Sequence, residues 1–203
     1  ALEAVRQGYE VHVATALTDK ITVLQDYGFV VHPLSLDRSN EGFWSNWISF
    51  LQIYCVCKDV KPDVVHLVTI KSVLFGGIAA RLSRVPAVVS AISGLGFVFV
   101  STKGVKAKIR RWMVSILYRL ALGHNNLKVI FQNPDDLACL VRFAHLAEQK
   151  VTIIRGSGTD LTQYRVTPFP TCVPVVLIAA RLLVDKGIRE FVQSAQILCQ
   201  RGL

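Results

Sequence analysis

The sequence predicts an α/β fold in which a parallel, doubly wound sheet is covered by helices. Short runs of Val, Ile, Leu and Ala alternate along the chain with segments of helical period, the order that parallel strands with helical crossovers require. Hydrophobic residues occupy 52% of the 203 positions and the mean hydropathy is +0.42, as expected for strands buried on both faces. The five cysteines show neither disulfide nor zinc spacing, which favours reduced thiols in a cytosolic protein.

The predicted elements follow one another in a regular order. A helix tail over residues 1–7 ends at Gly8, a residue suited to a C-cap. One later helix start is especially clear, because Asn133 suits the N-cap, Pro134 suits the first helical position, and two aspartates follow. Further helices are predicted over 18–27, 42–58, 73–83, 104–122 and 134–145, and strands over 9–16, 30–34, 64–68, 87–91, 128–131 and 151–154.

Composition marks a domain boundary late in the chain. Three prolines fall within 165–174, a stretch of little periodicity that is typical of a hinge. We therefore predict a first domain over 1–164, a linker over 165–174 and the beginning of a second domain over 175–203. Because the chain starts inside a βαβ unit and without Met, we expect the first, central strand of the first sheet to be absent.

A phosphate site is predicted at the start of the second domain. The apolar run 175–180 predicts a buried strand that leads Arg181 and Lys186 into a short loop, and a helix begins near Gly187. Helix amino ends bind anions, and a guanidinium fork with a nearby ammonium suits a diphosphate. The alternative is that both cations are ordinary solvated loop charges.

The same segment resembles a known family. Residues 179–191, of the form AARLLxDKGxxEF, resemble the opening of the second domain of retaining GT-B glycosyltransferases of family 4. Further similar segments follow the order and spacing of such enzymes and cover nearly the whole chain; they are Lys61–Leu67, Gly76–Arg81, Val85–Val89, Ser93–Gly96, Gln132–Asp136 and Arg155–Asp160. The closest subset looks like bacterial enzymes that build lipid-linked surface glycans.

The resemblance implies two Rossmann-like domains, of which the chain would hold the acceptor-side domain and the first strand-helix unit of the nucleotide-sugar domain. It implies a glycosyltransferase that uses a nucleoside diphosphate sugar and a polyprenyl-linked saccharide, with no metal or other cofactor, at the inner face of the cell membrane. The chain itself is expected to be an inactive fragment of that enzyme. No catalytic group can be named, because the histidine that many members carry in the loop after residues 87–91 is missing here.

Loops at the predicted strand ends supply candidate cleft residues on the acceptor side. A glycine-rich turn after a buried strand lets a ligand approach backbone N–H groups, although a simple turn is the alternative. A lysine at a helix start has a solvated alternative, and His66, inside a strand, is predicted to be a core histidine rather than a catalyst. The cleft candidates are Lys71, Ser93, Gly94, Gly96, Arg155 and Gly156.

A basic amphipathic helix is predicted over 104–120. The amino-terminal half of this helix carries several cations and an aromatic residue, and the whole chain has a net charge of +9. Both features favour contact with an anionic membrane surface. The alternative is that the apolar stripe covers the sheet. Nucleic acid is not expected, because no binding motif is visible. The contact candidates are Lys106, Lys108, Arg110, Arg111 and Trp112.

Two other functions remain open at this point. A nucleotide-sugar epimerase of the same fold would need acidic and histidine groups around the cleft, and the sequence does not place them. A non-catalytic membrane-surface or interaction module would need only the basic helix. No run is long enough to be a membrane span; the most suspicious, 87–100, has 14 residues, against the roughly 20 that a span needs. No signal peptide is visible.

Overall fold

The computed structural model describes residues 1–17, 20–35, 43–94, 105–156, 158–168, 171, 175–183 and 186–202; the side chains of 43, 105–107, 110 and 111 are not described. The chain divides into two compact units, Ala1–Gly158 and Thr159–Leu203. The domain and linker limits expected from composition remain a prediction.

Helices form where the sequence predicts them. Asn133 caps one of them as expected: its side-chain oxygen accepts a hydrogen bond from the Asp136 backbone N–H at 2.7 Å, and its amide donates to the Asp136 carboxylate at 2.8 Å. The bounds are α1 Leu2–Arg6, α2 Ile21–Asp26, α3 Phe43–Val60, α4 Ile70–Leu82, α5 Val105–Ala121, α6 Pro134–Ala144 and α7 Ile188–Gln200, with a 3-10 turn at Glu148–Lys150.

The strands of the first unit pair in parallel, which confirms the predicted fold class. Their bounds are β1 His12–Ala16, β2 Val30–Leu34, β3 Val64–Val68, β4 Ala87–Ile92, β5 Leu127–Phe131 and β6 Val151–Ile153. β1 pairs with β2, and β3 to β6 form a four-stranded sheet in sequence order. The described strands thus form two hydrogen-bonded sheets where one was predicted, because β1 and β3 do not pair with each other.

One helical layer covers the four-stranded sheet. Each of α4, α5 and α6 connects two neighbouring strands, and right-handed crossovers in one direction place all three helices on one face. Helix α3 packs against α4 and extends this layer. The core between sheet and helices is centred on fully buried Val73, Val88, Val129, Phe131 and Leu140.

The other face of β3 is exposed. Val64, His66 and Val68 alternate on that face, and all three are exposed to solvent. The prediction that His66 is a core histidine is therefore wrong. The physical reason is the crossover geometry, since the helices that follow β3, β4 and β5 all pack on the opposite face.

The second unit contains α7, so the helix of the predicted strand-helix unit is confirmed. Its strand is not formed: residues 175–180 have no ladder partner among the described residues. Val175, Val176 and Leu177 are 82%, 73% and 82% exposed. A strand needs neighbours that bond its backbone groups and cover its side chains, and the described part of this unit supplies neither.

Candidate functional site

The carboxyl ends of β3 to β6 meet at one edge of the four-stranded sheet, because the strands are parallel neighbours. Lys71 follows β3, Ser93 and Gly94 follow β4, and Arg155 and Gly156 follow β6. The structure therefore brings these predicted cleft residues to a single edge, the one at which ligands bind in α/β sheets. Gly96 lies outside the described residues.

The turn between β3 and α4 is strained. Thr69, the N-cap of α4, has φ 79° and ψ 157°, a region that glycine populates and that is unfavourable for a β-branched residue. Its hydroxyl lies 3.4 Å from the Ser72 hydroxyl. Strained backbone of this kind clusters at functional sites, and half-buried Lys71 is in the first turn that follows.

The two glycines at the sheet edge adopt conformations that other residues avoid. Gly94 has φ 150° and Gly156 has φ 74°. A Cβ atom built on either residue would meet no atom of the described, non-adjacent residues within 4 Å, so among those residues nothing covers either backbone. The neighbouring side chains of Ser93 and Arg155 are exposed. A ligand can thus approach backbone and side-chain donors along this edge.

Backbone hydrogen bonds link the described residues of the predicted phosphate loop in the second unit. The backbone N–H of Leu183 donates to the Arg181 carbonyl at 2.7 Å, and that of Lys186 donates to the Leu183 carbonyl at 3.0 Å. Arg181 and Lys186 are both exposed. Gly187 is the N-cap of α7 with φ 70°, so the helix begins one residue after it, at Ile188. An exposed Lys186 thus stands just before the helix amino end, and an exposed Arg181 stands earlier in the same connection.

Helix α5 does not turn its whole apolar stripe toward the sheet. Ile109, Trp112 and Met113, in its amino-terminal half, are 53%, 65% and 54% exposed, and Lys108 is exposed beside them. The buried residues of α5 are Ser115, Tyr118 and Ala121, towards its carboxyl end. The structure does not describe the side chains of Lys106, Arg110 and Arg111. In this amino-terminal half, the described apolar side chains are thus exposed rather than buried against the sheet.

Helix α3 shows a surface that the sequence analysis missed. Trp44, Trp47, Ile48 and Leu51 are 75%, 50%, 50% and 42% exposed. The available signal was a run without Asp, Glu, Lys or Arg over residues 43–57. An apolar run with an aromatic side indicates a helix, but it does not say which of its faces is covered.

Two further findings concern metal binding and membrane-spanning helices. In the part of the chain that the structure describes, no group of His, Cys, Asp and Glu side chains is arranged to hold a metal ion. Over the same residues, every helix is too short or too polar to cross a bilayer.

Comparison with known proteins decides the family. The sequence profile described as "Glycosyl transferase 4-like" matches residues 1–133, which include both sheets up to the end of β5. The chain belongs to this family. Membership of the glycosyl transferase 4-like family agrees with the resemblance seen in the sequence and with the parallel α/β fold.

Two named proteins are similar to this chain in sequence. The first is the N,N'-diacetylbacillosaminyl-diphospho-undecaprenol alpha-1,3-N-acetylgalactosaminyltransferase of Campylobacter jejuni, 27% identical over 206 residues that cover 93% of this chain and 53% of the relative. The second is the UDP-Gal:alpha-D-GlcNAc-diphosphoundecaprenol alpha-1,3-galactosyltransferase of Escherichia coli, 27% identical over 57% of this chain and 28% of the relative. The chain thus spans about half or less of their length.

A solved structure shares the fold of this family member. The glycosyltransferase of Rickettsia africae superposes with a TM-score of 0.63 over 98% of this chain and 52% of its own, at 15% sequence identity. At that identity the likeness concerns the fold alone.

Proposed function

We propose that the protein is a glycosyltransferase that moves a sugar from a nucleoside diphosphate sugar to a saccharide carried on a polyprenyl diphosphate. The observation that carries the proposal is the family profile over residues 1–133. Both named relatives support the acceptor class, because each name contains a sugar linked to diphosphoundecaprenol. The name of the second relative also contains a UDP-sugar donor.

The second unit supplies the donor side of this proposal. When the sugar leaves, the diphosphate gains negative charge, and groups that bind this charge more strongly in the transition state accelerate the reaction. Lys186 stands just before α7 and Arg181 precedes it in the same connection. The first backbone N–H groups of a helix have no partner within the helix. These groups would stabilise the departing diphosphate without a metal ion.

The first unit supplies the acceptor side. The sheet edge with Lys71 and Arg155 presents cations, and the open backbone at Gly94 and Gly156 presents N–H donors. An acceptor that carries its own diphosphate is an anion, so cations and backbone N–H groups are the chemistry that would hold it.

The basic helix accounts for access to a lipid-linked acceptor. The exposed side chains of Lys108, Ile109, Trp112 and Met113 combine a cation with apolar groups on one helix, as helices that lie in a membrane interface do. We place the complete protein at the inner face of the cell membrane, attached peripherally.

The test is sugar transfer by the complete gene product. Labelled nucleotide sugars are offered together with a short-chain prenyl diphosphate saccharide, and a product that carries both label and lipid is expected. Conversion of the donor to its epimer without acceptor would assign the protein to the epimerases instead. Absence of donor binding in calorimetry would leave only a non-catalytic module and would refute the proposal.

A further inference from the structure

The outward face of α3 is apolar throughout its first three turns. Exposed side chains recur at helical spacing, and the stripe begins with two tryptophans. It contains no charged residue before its last turn, where Lys58 and Asp59 follow. The members of this apolar stripe are Trp44, Trp47, Ile48, Leu51 and Cys55.

Two polar side chains of α3, Ser49 and Gln52, form hydrogen bonds toward the end of β2. Ser49 is buried, and its hydroxyl lies 2.9 Å from the Ser45 carbonyl and 3.3 Å from that of Ser35. The Gln52 side chain accepts a hydrogen bond from the Ser35 backbone N–H at 2.8 Å, at the end of β2. The inward side of α3 is apolar as well, since Ile53 and Cys57 are buried in the core. Helix α3 is thus apolar on both sides, whereas a helix facing water carries its apolar residues on the buried side. The outward face of α3 therefore differs from the polar face of a helix that contacts only water.

One tryptophan of the stripe, Trp47, is supported by neighbouring rings. The ring centroids of Trp47 and Phe50 are 5.5 Å apart, and those of Phe50 and Tyr54 are 6.4 Å apart. Phe50 and Tyr54 pack against the hydrophobic core. An exposed aromatic side chain supported in this way loses less conformational freedom when it binds a partner.

The stripe lies at the edge of the layer that carries the candidate site. Helices α3 and α5 each end within six residues of the strand that follows, and both contact α4. Both helices therefore run antiparallel to the strands, and their amino-terminal halves lie towards the carboxyl edge of the sheet. The exposed tryptophans of α3 and Trp112 of α5 thus flank the first turn of α4, which contains Lys71.

Charge identifies the partner. Helices α3, α4 and α5 together contain eight of the 23 Lys and Arg residues and one of the 14 Asp and Glu residues, so they hold seven of the nine net positive charges. Such a layer is attracted to an anionic surface. Tryptophan is the residue that proteins place at the boundary between headgroups and hydrocarbon. A cationic layer with exposed tryptophans at one edge fits an anionic lipid bilayer.

We propose that the apolar stripe of α3 is the main apolar contact of this protein with an anionic bilayer, while the cations of α5 provide the electrostatic attraction. The inference deepens the proposed function and rests on it, because a bilayer presents the lipid-linked acceptor. Docking at this edge would bring the acceptor diphosphate next to the carboxyl ends of β3 to β6.

The test is sedimentation of the complete gene product with vesicles of phosphatidylcholine alone or mixed with phosphatidylglycerol, at low and high salt. Trp44→Ala with Trp47→Ala should lower the partition coefficient roughly tenfold per tryptophan, and the loss should persist at high salt, since apolar burial is not screened. The matched control is Tyr9→Ala with Tyr27→Ala, which removes two exposed aromatics outside α3 that lie just before the amino ends of β1 and β2. The control should bind like the wild type.

A second variant and a second readout guard against a folding defect. Ile48→Gln with Leu51→Gln keeps both tryptophans and should still weaken binding, with an unchanged far-UV circular dichroism spectrum. In the wild type, brominated lipids should quench tryptophan fluorescence. Normal vesicle binding by the folded Trp44/Trp47 variant, or equal loss in the tyrosine control, would overturn the proposal.

Other occupants of the stripe give distinct results. A wild-type dimer that the Trp44/Trp47 variant loses, without any vesicle binding by the wild type, would assign the stripe to a second copy of the chain and refute the bilayer. Vesicle sedimentation needs no turnover. A wild type that binds vesicles through α3 but transfers no sugar would therefore retain this inference and remove the proposed function.

Discussion

Gly77 faces the backbone of Ala121 so closely that a Cβ atom on Gly77 would lie 2.6 Å from the Ala121 carbonyl oxygen. Gly77 is in the middle of α4, and Ala121 is the last residue of α5. The two helices are therefore as close as their backbones allow. This contact fixes the basic helix α5 against the helix that begins beside Lys71, so it positions the sheet edge and the basic helix in one rigid layer.

Gly77→Ala should destabilise the first unit. A methyl group would be forced against a backbone carbonyl that cannot rotate away, and such overpacking costs about 1–3 kcal/mol. Thermal and denaturant unfolding of the complete gene product measure this cost. Gly76→Ala is the matched control, because its methyl group would meet the side chain of Leu67, which can change rotamer. A larger loss from Gly76→Ala than from Gly77→Ala would contradict the assignment.

Much of the first unit could be predicted because its periodicities are local. Strand β2 forms at its predicted limits, and the cap of Asn133 is readable from four consecutive residues. Burial depends on neighbours that the local pattern does not contain. His66 alternates within an apolar strand and yet is exposed, because three successive crossovers cover the opposite face. Residues 175–180 carry the signal of a central strand but lack strands to pair with in the described unit.

The candidate site shows the same division. Lys71 and Arg155 could be assigned to one sheet edge in advance, because strand ends in a parallel sheet share an edge whatever the loops do. The strain at Thr69 could not be predicted, since threonine has no preference for a positive φ. The outward tryptophans of α3 were missed because an apolar helical face is normally a buried one.

Cys55 and Cys57 should differ in reactivity. They lie two residues apart on α3 and therefore face different sides of it: Cys55 is exposed and Cys57 is buried. Burial raises the pKa of the Cys57 thiol, so less of it is thiolate at neutral pH. Iodoacetamide should alkylate Cys55 quickly and Cys57 slowly, as measured by peptide mass spectrometry over time. Exposed Cys199 is the internal control for a fast thiol; equal rates at 55 and 57 would show that α3 is not packed as described.

Reversal of the α5 charges should weaken binding to anionic vesicles. Each cation near an anionic surface contributes about 1 kcal/mol, so Lys106→Glu, Lys108→Glu, Arg110→Glu and Arg111→Glu together should abolish sedimentation at low salt. High salt should reduce wild-type binding in the same direction, because it screens these charges.

The control for the charge reversal conserves charge. The variant Lys106→Arg with Lys108→Arg should sediment with vesicles like the wild type, because it keeps both positive charges. If the four-glutamate variant binds vesicles like the wild type and keeps its circular dichroism spectrum, α5 has a structural role only.

Arg181→Ala and Lys186→Ala should each lower kcat/KM of the complete enzyme by roughly tenfold to a thousandfold, because each removes a charge-assisted contact to the leaving diphosphate. Arg201→Ala is the control, since it removes an exposed cation just beyond the other end of α7. Lys186→Arg should restore activity only in part, because a guanidinium fork cannot replace an ammonium in the same geometry. Steady-state kinetics with varied donor measure the effect. Near-normal turnover in both alanine variants would remove the diphosphate assignment, and the helix start at Gly187 would then have to bind the donor without these two cations.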